Sequence, residues 1–231
     1  MTSNHRYYQQ PFAESIILTC LALVLLAFTT SSVLFFAYYF SDTSLGTEPP
    51  ALMLSVSVCL GLLISYSVIM RLSTVFFMSV FMPQLKLSTF WFFSSITIGV
   101  LFAVFILWLG QFFDPPSDVD STLKQIAAGG TAANILLFLS VVLLAPVGEE
   151  YLFRGVLLSG LSSQASTFSA ILLSSVVFMA FHLLEYYGHW FALLAIFALG
   201  VLLAVLRLRS QSMSAPIICH ASYNFIMLTL V

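Results

Sequence analysis

Long apolar runs separated by short polar segments dominate this chain. Ser15–Phe40 is the first, Ala51–Met70 the second, Ser88–Phe113 the third and Ala133–Leu158 the fourth. Ser166–Leu183, Trp190–Leu206 and Met213–Val231 bring the number to seven. A membrane-spanning helix takes about 20 apolar residues, so each run predicts a span or comes close to one. Val75–Pro83 is apolar but short and reads as an interfacial or re-entrant half-helix, which leaves the count between six and eight. The first run is too long for a signal-peptide core, and no small-residue cleavage site clearly follows it, so it reads as a retained span. The expected fold is all-α, a polytopic transmembrane bundle. Residues 1–132 supply the first three spans with their loops, and residues 133–231 form a core that carries the charged and imidazole residues.

Composition agrees with that picture. Of 231 residues, 61% are hydrophobic and 7% charged, with 23 Phe and a mean hydropathy of +1.07. A water-soluble domain carries about a quarter charged residues, so lipid is the natural solvent here. The formal net charge of −2 is too small to suggest a nucleic-acid partner. Cys20, Cys59 and Cys219 lie in apolar runs without C-x-x-C spacing and read as small core residues. The inner segments hold Arg6, then Arg71 and Lys86, then Arg207 and Arg209. The outer ones hold Asp42 and Glu48, then Asp114, Asp118, Asp120 and Lys124, then Glu185. Basic residues favour the cytoplasmic side, so the N-terminus is expected inside. Asp114–Asp118 reads as a turn-rich outer loop. The compact length leans towards a bacterial cytoplasmic membrane.

Against this background the stretch Glu149-Glu150-Tyr-Leu-Phe-Arg154-Gly stands out. On a helix, residues four apart share a face. Glu150 and Arg154 can therefore pair, which lowers the cost of holding both in a low dielectric. Glu149 points away from that pair and is left for another task. A charged residue within a membrane span is a functional candidate, although Glu149 also reads as a helix-end residue reaching for the interface. Of the four histidines, His5 lies in the polar N-terminal tail and His189 in a short loop. His182 and His220 sit within or at the ends of apolar spans, and each taken alone reads as a satisfied core histidine.

Depth brings these residues together. If the chain turns at Ser162–Ser166, Glu149 lies about 15 residues before the turn and His182 about 18 after it, roughly 22–27 Å from it in each case. His220 and Asn224 are four apart and share a face of the last span. One carboxylate, two imidazoles and one amide from three helices suit hydrolysis. A carboxylate helped by imidazole takes a proton from water, and a second imidazole and an amide NH₂ donate to an oxyanion. No cofactor is needed for that. The same groups, Glu149, His182 and His220, equally suit a divalent metal such as zinc. H-E-x-x-H is missing, and His182-Leu-Leu-Glu185 is followed by Tyr186, so H-x-x-E-H is missing too. The chain also lacks a G-x-S-G serine motif and a G-x-G-D aspartyl motif.

Three motifs in order resemble the CAAX protease and bacteriocin-processing family (CPBP, or Abi), which includes the type II CAAX prenyl proteases. E-E-x-x-x-R is Glu149-Glu150-Tyr-Leu-Phe-Arg154. F-x-x-x-H is Phe178-Met-Ala-Phe-His182, and H-x-x-x-N is His220-Ala-Ser-Tyr-Asn224. The resemblance covers Ala133 to the C-terminus. It implies an intramembrane endopeptidase acting on a membrane-associated or lipidated peptide. In that scheme Glu149 and His182 activate water, and His220 and Asn224 form the oxyanion hole. Glu150 and Arg154 support them, and Phe178 packs beside His182, a role compatible with an ordinary core phenylalanine. Some members of that family are classed as metalloproteases. Two other readings stay open: a non-proteolytic scaffold or bacteriocin-immunity factor, and an ion or proton transporter using Glu149 and the histidines as a relay. Transport is the weaker, since no internal repeat is found and the breakers Ala145-Pro146 and Gly148 occur once.

Overall fold

The computed structural model describes residues 11–41, 49–76, 85–113 and 129–230; among these residues it has seven helices and no strand. They are α1 (Phe12–Phe40), α2 (Ala51–Phe76), α3 (Thr89–Gly110), α4 (Thr131–Leu161), α5 (Thr167–Phe181), α6 (Trp190–Ser210) and α7 (Ser214–Leu230). Among the described residues, α1, α2, α3, α4 and α6 are long and apolar enough to cross a membrane. The chain is a multi-pass helical membrane protein.

Seven apolar runs thus become seven helices, but not seven equal ones. Helix α5 has 15 residues and rises only about 22 Å, short of the roughly 30 Å hydrocarbon layer. It ends at Phe181 because His182 leaves helical geometry and the chain turns through Gly188, whose φ is +81°. A positive φ of that kind favours glycine. The turn expected at Ser162–Ser166 is present, with Ser166 capping α5 by accepting from the Ser169 backbone N–H. Of the short stretch Val75–Pro83, Val75 and Phe76 end α2, and the remainder lies outside the described residues. The acidic loop at Asp114–Asp118 also lies outside them.

Lipid as solvent inverts the usual arrangement. Large apolar side chains such as Phe28, Phe90, Leu101 and Leu194 face outward, while Ser55, Ser65 and Ser95 are buried. The serines avoid unpaired hydroxyls by bonding back into their own helices, as Ser55 does to Ala51 O at 2.8 Å and Ser95 to Trp91 O at 2.7 Å. Small residues also let backbones approach closely. A Cβ at Gly99 of α3 would overlap the Cys219 carbonyl of α7. Cys59 and Cys219 are buried as expected, whereas Cys20 faces outward. Helix α1 packs along α2, α3 along α7 and α5 along α6, and α4 runs among them, touching α1, α2, α5, α6 and α7.

Helix α4 is not uniform. It widens into π-type turns at Leu139–Leu144 and Tyr151–Leu157, on either side of Glu149 and Glu150. The first has a cause in the sequence. Pro146 has no N–H, and its ring crowds the carbonyl four residues earlier. Local widening lets a membrane helix continue through a proline. Ala145 N–H accordingly bonds Ser140 O, five residues back.

Candidate active site

The central helix delivers three ionisable side chains to the interior. Glu149, Glu150 and Arg154 are all buried. Arg154 Nη1 donates to Glu150 Oε1 at 3.1 Å, the pair that the i,i+4 spacing anticipated. Its Nη2 donates to Gly200 O of α6 at 3.1 Å, and the guanidinium carbon lies 4.4 Å from the Phe178 ring centre. The arginine therefore ties α4 to both α5 and α6.

His220 enters from α7. Its Nδ1 lies 2.9 Å from Glu150 Oε1, and its Nε2 lies 3.9 Å from Glu149 Oε2. An ionised carboxylate only accepts, so Nδ1 is the nitrogen that donates. Glu150 is thus shared by Arg154 and His220. The sequence pointed to the first contact only, because the second joins residues 70 apart. Glu149 Oε2 and Glu150 Oε2 are both buried without a hydrogen-bond partner among the described residues, but Glu150 is engaged through its other oxygen by Arg154 and His220. A separation of 3.9 Å between two polar atoms is too long for a direct bond and suits one bridging water.

His182 stands at the end of α5, with Nδ1 2.9 Å from Phe178 O. A carbonyl only accepts, so Nδ1 donates and Nε2 keeps its lone pair. The Phe178 ring centre lies 4.9 Å from that of His182 and 5.8 Å from that of His220. Phe178 is buried, and both imidazoles and Arg154 lie around its ring. The expected position beside His182 is present, and the contacts with His220 and Arg154 extend it.

Asn224 lies one turn beyond His220 on α7, and its Nδ2 donates to Val141 O at 2.8 Å. Two further features were not read from the sequence. Tyr66 of α2 lays its ring against Gly148, where an added Cβ would overlap ring carbons Cδ2, Cε2 and Cζ. The Tyr66 hydroxyl is buried without a partner among the described residues and lies within electrostatic reach of Glu149 and Glu150. Tyr151, inside the charged stretch, bonds Ser73 of α2 at 2.7 Å through its hydroxyl. A tyrosine in an apolar span gives no sign of which helix it will meet.

Glu149, His182 and His220 were also the set named for a divalent metal. Among the described residues, no three His, Cys, Asp or Glu side chains are grouped as metal ligands.

Comparison with known proteins bears on this half of the chain. Residues 131–226 match the family described as type II CAAX prenyl endopeptidase Rce1-like. An uncharacterised 24.3 kDa protein of Escherichia coli is 30% identical over 127 residues, 53% of this chain. The chain spans 57% of the length of that relative. No solved structure matches. The matched stretch runs from the start of α4 into α7 and contains Glu149, Glu150, Arg154, Phe178, His182, His220 and Asn224. Residues 131–226 are therefore similar to the type II CAAX prenyl endopeptidase Rce1-like family, in keeping with a CPBP, or CAAX protease, resemblance.

Proposed function

We propose that the chain is an intramembrane endopeptidase that hydrolyses a peptide bond of a membrane-associated or lipidated substrate. The observation that carries this reading is the buried, unpartnered Glu149 Oε2 facing His220 Nε2 at 3.9 Å. A water in that position touches a carboxylate oxygen that has no competing bond among the described residues. Glu150 is a poor candidate for the same work, since Arg154 and His220 already engage it.

In the proposed reaction Glu149 takes a proton from water as the oxygen attacks the peptide carbonyl carbon. His182 assists through Nε2, whose lone pair is left available by the Nδ1 contact with Phe178 O. The carbonyl oxygen becomes an oxyanion. His220 turns Nε2 towards it, and in the doubly protonated ring that nitrogen donates while Nδ1 stays on Glu150. Asn224 donates its remaining amide hydrogen. The proton held at Glu149 then passes to the leaving nitrogen, the C–N bond breaks, and a free acid and an amine result. The N-terminus is placed on the cytoplasmic side of the membrane, following the loop charges.

The test is incubation of purified protein with a library of membrane peptides, wild type beside Glu149→Ala, with products read by mass spectrometry. New termini from wild type alone are the expected result. Equal products from both, or none from wild type across lipidated and unlipidated peptides, contradict the proposal.

A further inference from the structure

We infer that Pro146 is a positioning residue for Asn224, acting through the Val141 carbonyl; the kinetic consequence rests on the hydrolytic reading above. Where the π-type turn at Leu139–Leu144 ends, Ala145 N–H meets Ser140 O, five residues back. The next carbonyl is that of Val141, and the residue five ahead is Pro146, which has no N–H. The N–H four ahead, that of Ala145, already serves Ser140. Val141 O is therefore left without a backbone partner inside its own helix.

An unmet carbonyl away from water is costly, so native structures supply a partner. Here the partner is the Asn224 amide, at 2.8 Å, reaching from α7. This bond fixes more than a carbonyl. An amide NH₂ has two N–H groups in one plane. Committing one to Val141 O sets the direction of the other and of the side-chain plane. His220, one turn earlier on the same helix, is fixed independently by Glu150. The two proposed oxyanion donors are thus anchored to α4 at separate points, one by a carboxylate and one by a carbonyl that a proline leaves vacant. Pro146 does not touch the substrate in this account. It sets the orientation of a residue that does.

The experiment uses the full chain in lipid nanodiscs with ¹⁵N-asparagine. Only three asparagines occur, Asn4, Asn134 and Asn224, so the Asn224 side-chain signals are assigned by their loss in Asn224→Ala. In wild type, one of the two Asn224 amide protons should be protected from exchange and shifted downfield. Rapid exchange of both overturns the inference without any mutation at Pro146. In Pro146→Ala the new N–H is available to Val141 O, and the protected signal should lose its protection. Persistence of an unchanged protected signal in Pro146→Ala overturns it as well.

The kinetic arm is read on the same preparations. Since small misplacements of a catalytic group cost up to about 10²-fold, kcat for Pro146→Ala should fall at least about tenfold with KM within about twofold. The double variant Pro146→Ala/Asn224→Ala should match Asn224→Ala alone, because the two act as one unit. Additive losses indicate a general structural role for Pro146 and contradict the inference. If wild type hydrolyses nothing, the hydrolytic reading fails, and the exchange measurement still decides whether Pro146 positions Asn224.

Discussion

Removing the Arg154 side chain should cost this protein much of its stability. The Arg154 side chain exposes 1% of its surface, so water cannot replace what it bonds. Arg154→Ala removes the contact with Glu150 at 3.1 Å, the bond to Gly200 O at 3.1 Å and the stacking over Phe178 at 4.4 Å. It leaves Glu150, which exposes 0%, with His220 alone. Breaking a buried pair by deleting one partner costs about 3–5 kcal/mol, largely because the survivor keeps a buried charge. For a chain of this size each kcal/mol lowers the melting temperature by about 2–4 °C. A fall of about 6–20 °C is therefore expected for purified protein in detergent, followed by intrinsic fluorescence or differential scanning. Glu150→Gln/Arg154→Met removes both charges and should recover much of the loss, since an apolar replacement of a whole pair is often neutral. An Arg154→Ala melting temperature within about 2 °C of wild type would mean that this buried pair contributes little to stability. A double variant less stable than the single would mean that the penalty does not come from a stranded carboxylate.

Two further outcomes are expected. Gly148→Ala places a Cβ on the Tyr66 ring and should destabilise by about 1–3 kcal/mol through overpacking. Adding Tyr66→Ala should relieve this and Tyr66→Phe should not, as the overlap is with ring carbons; thermal melts of the four proteins check it. For orientation, single cysteines at Lys86 and Gln211 in a background without the native cysteines should label only from the cytoplasmic side of sealed vesicles. Labelling from the outside would invert the assigned topology.

Much of the candidate site was legible because its residues sit in local patterns. The Glu150–Arg154 contact follows from helical spacing, and so does the position of Phe178 beside His182. The turn at Ser162–Ser166 follows from a polar cluster between two apolar runs. What was not legible depends on pairing between helices. Apolar faces all round leave no stripe to say which helix meets which, so the contact of His220 with Glu150 and that of Tyr66 with Gly148 gave no sign. Pro146 was visible, yet it reads as a breaker on sequence alone. Only the neighbouring helix shows why α4 continues: the turn widens and Asn224 meets the stranded carbonyl.

The proposed base for water is the carboxylate of Glu149, with its unpartnered Oε2, and Glu149→Gln removes it. Glutamine keeps the shape but accepts no proton from water near neutral pH, so the cleavage rate should fall by about 10²–10⁴-fold. Melting temperature and substrate binding, measured on the same preparations, should stay close to wild type. Because Glu149 and His182 act on one water, Glu149→Gln/His182→Ala should be little worse than either single variant. Cleavage at the wild-type rate by folded Glu149→Gln would contradict the account.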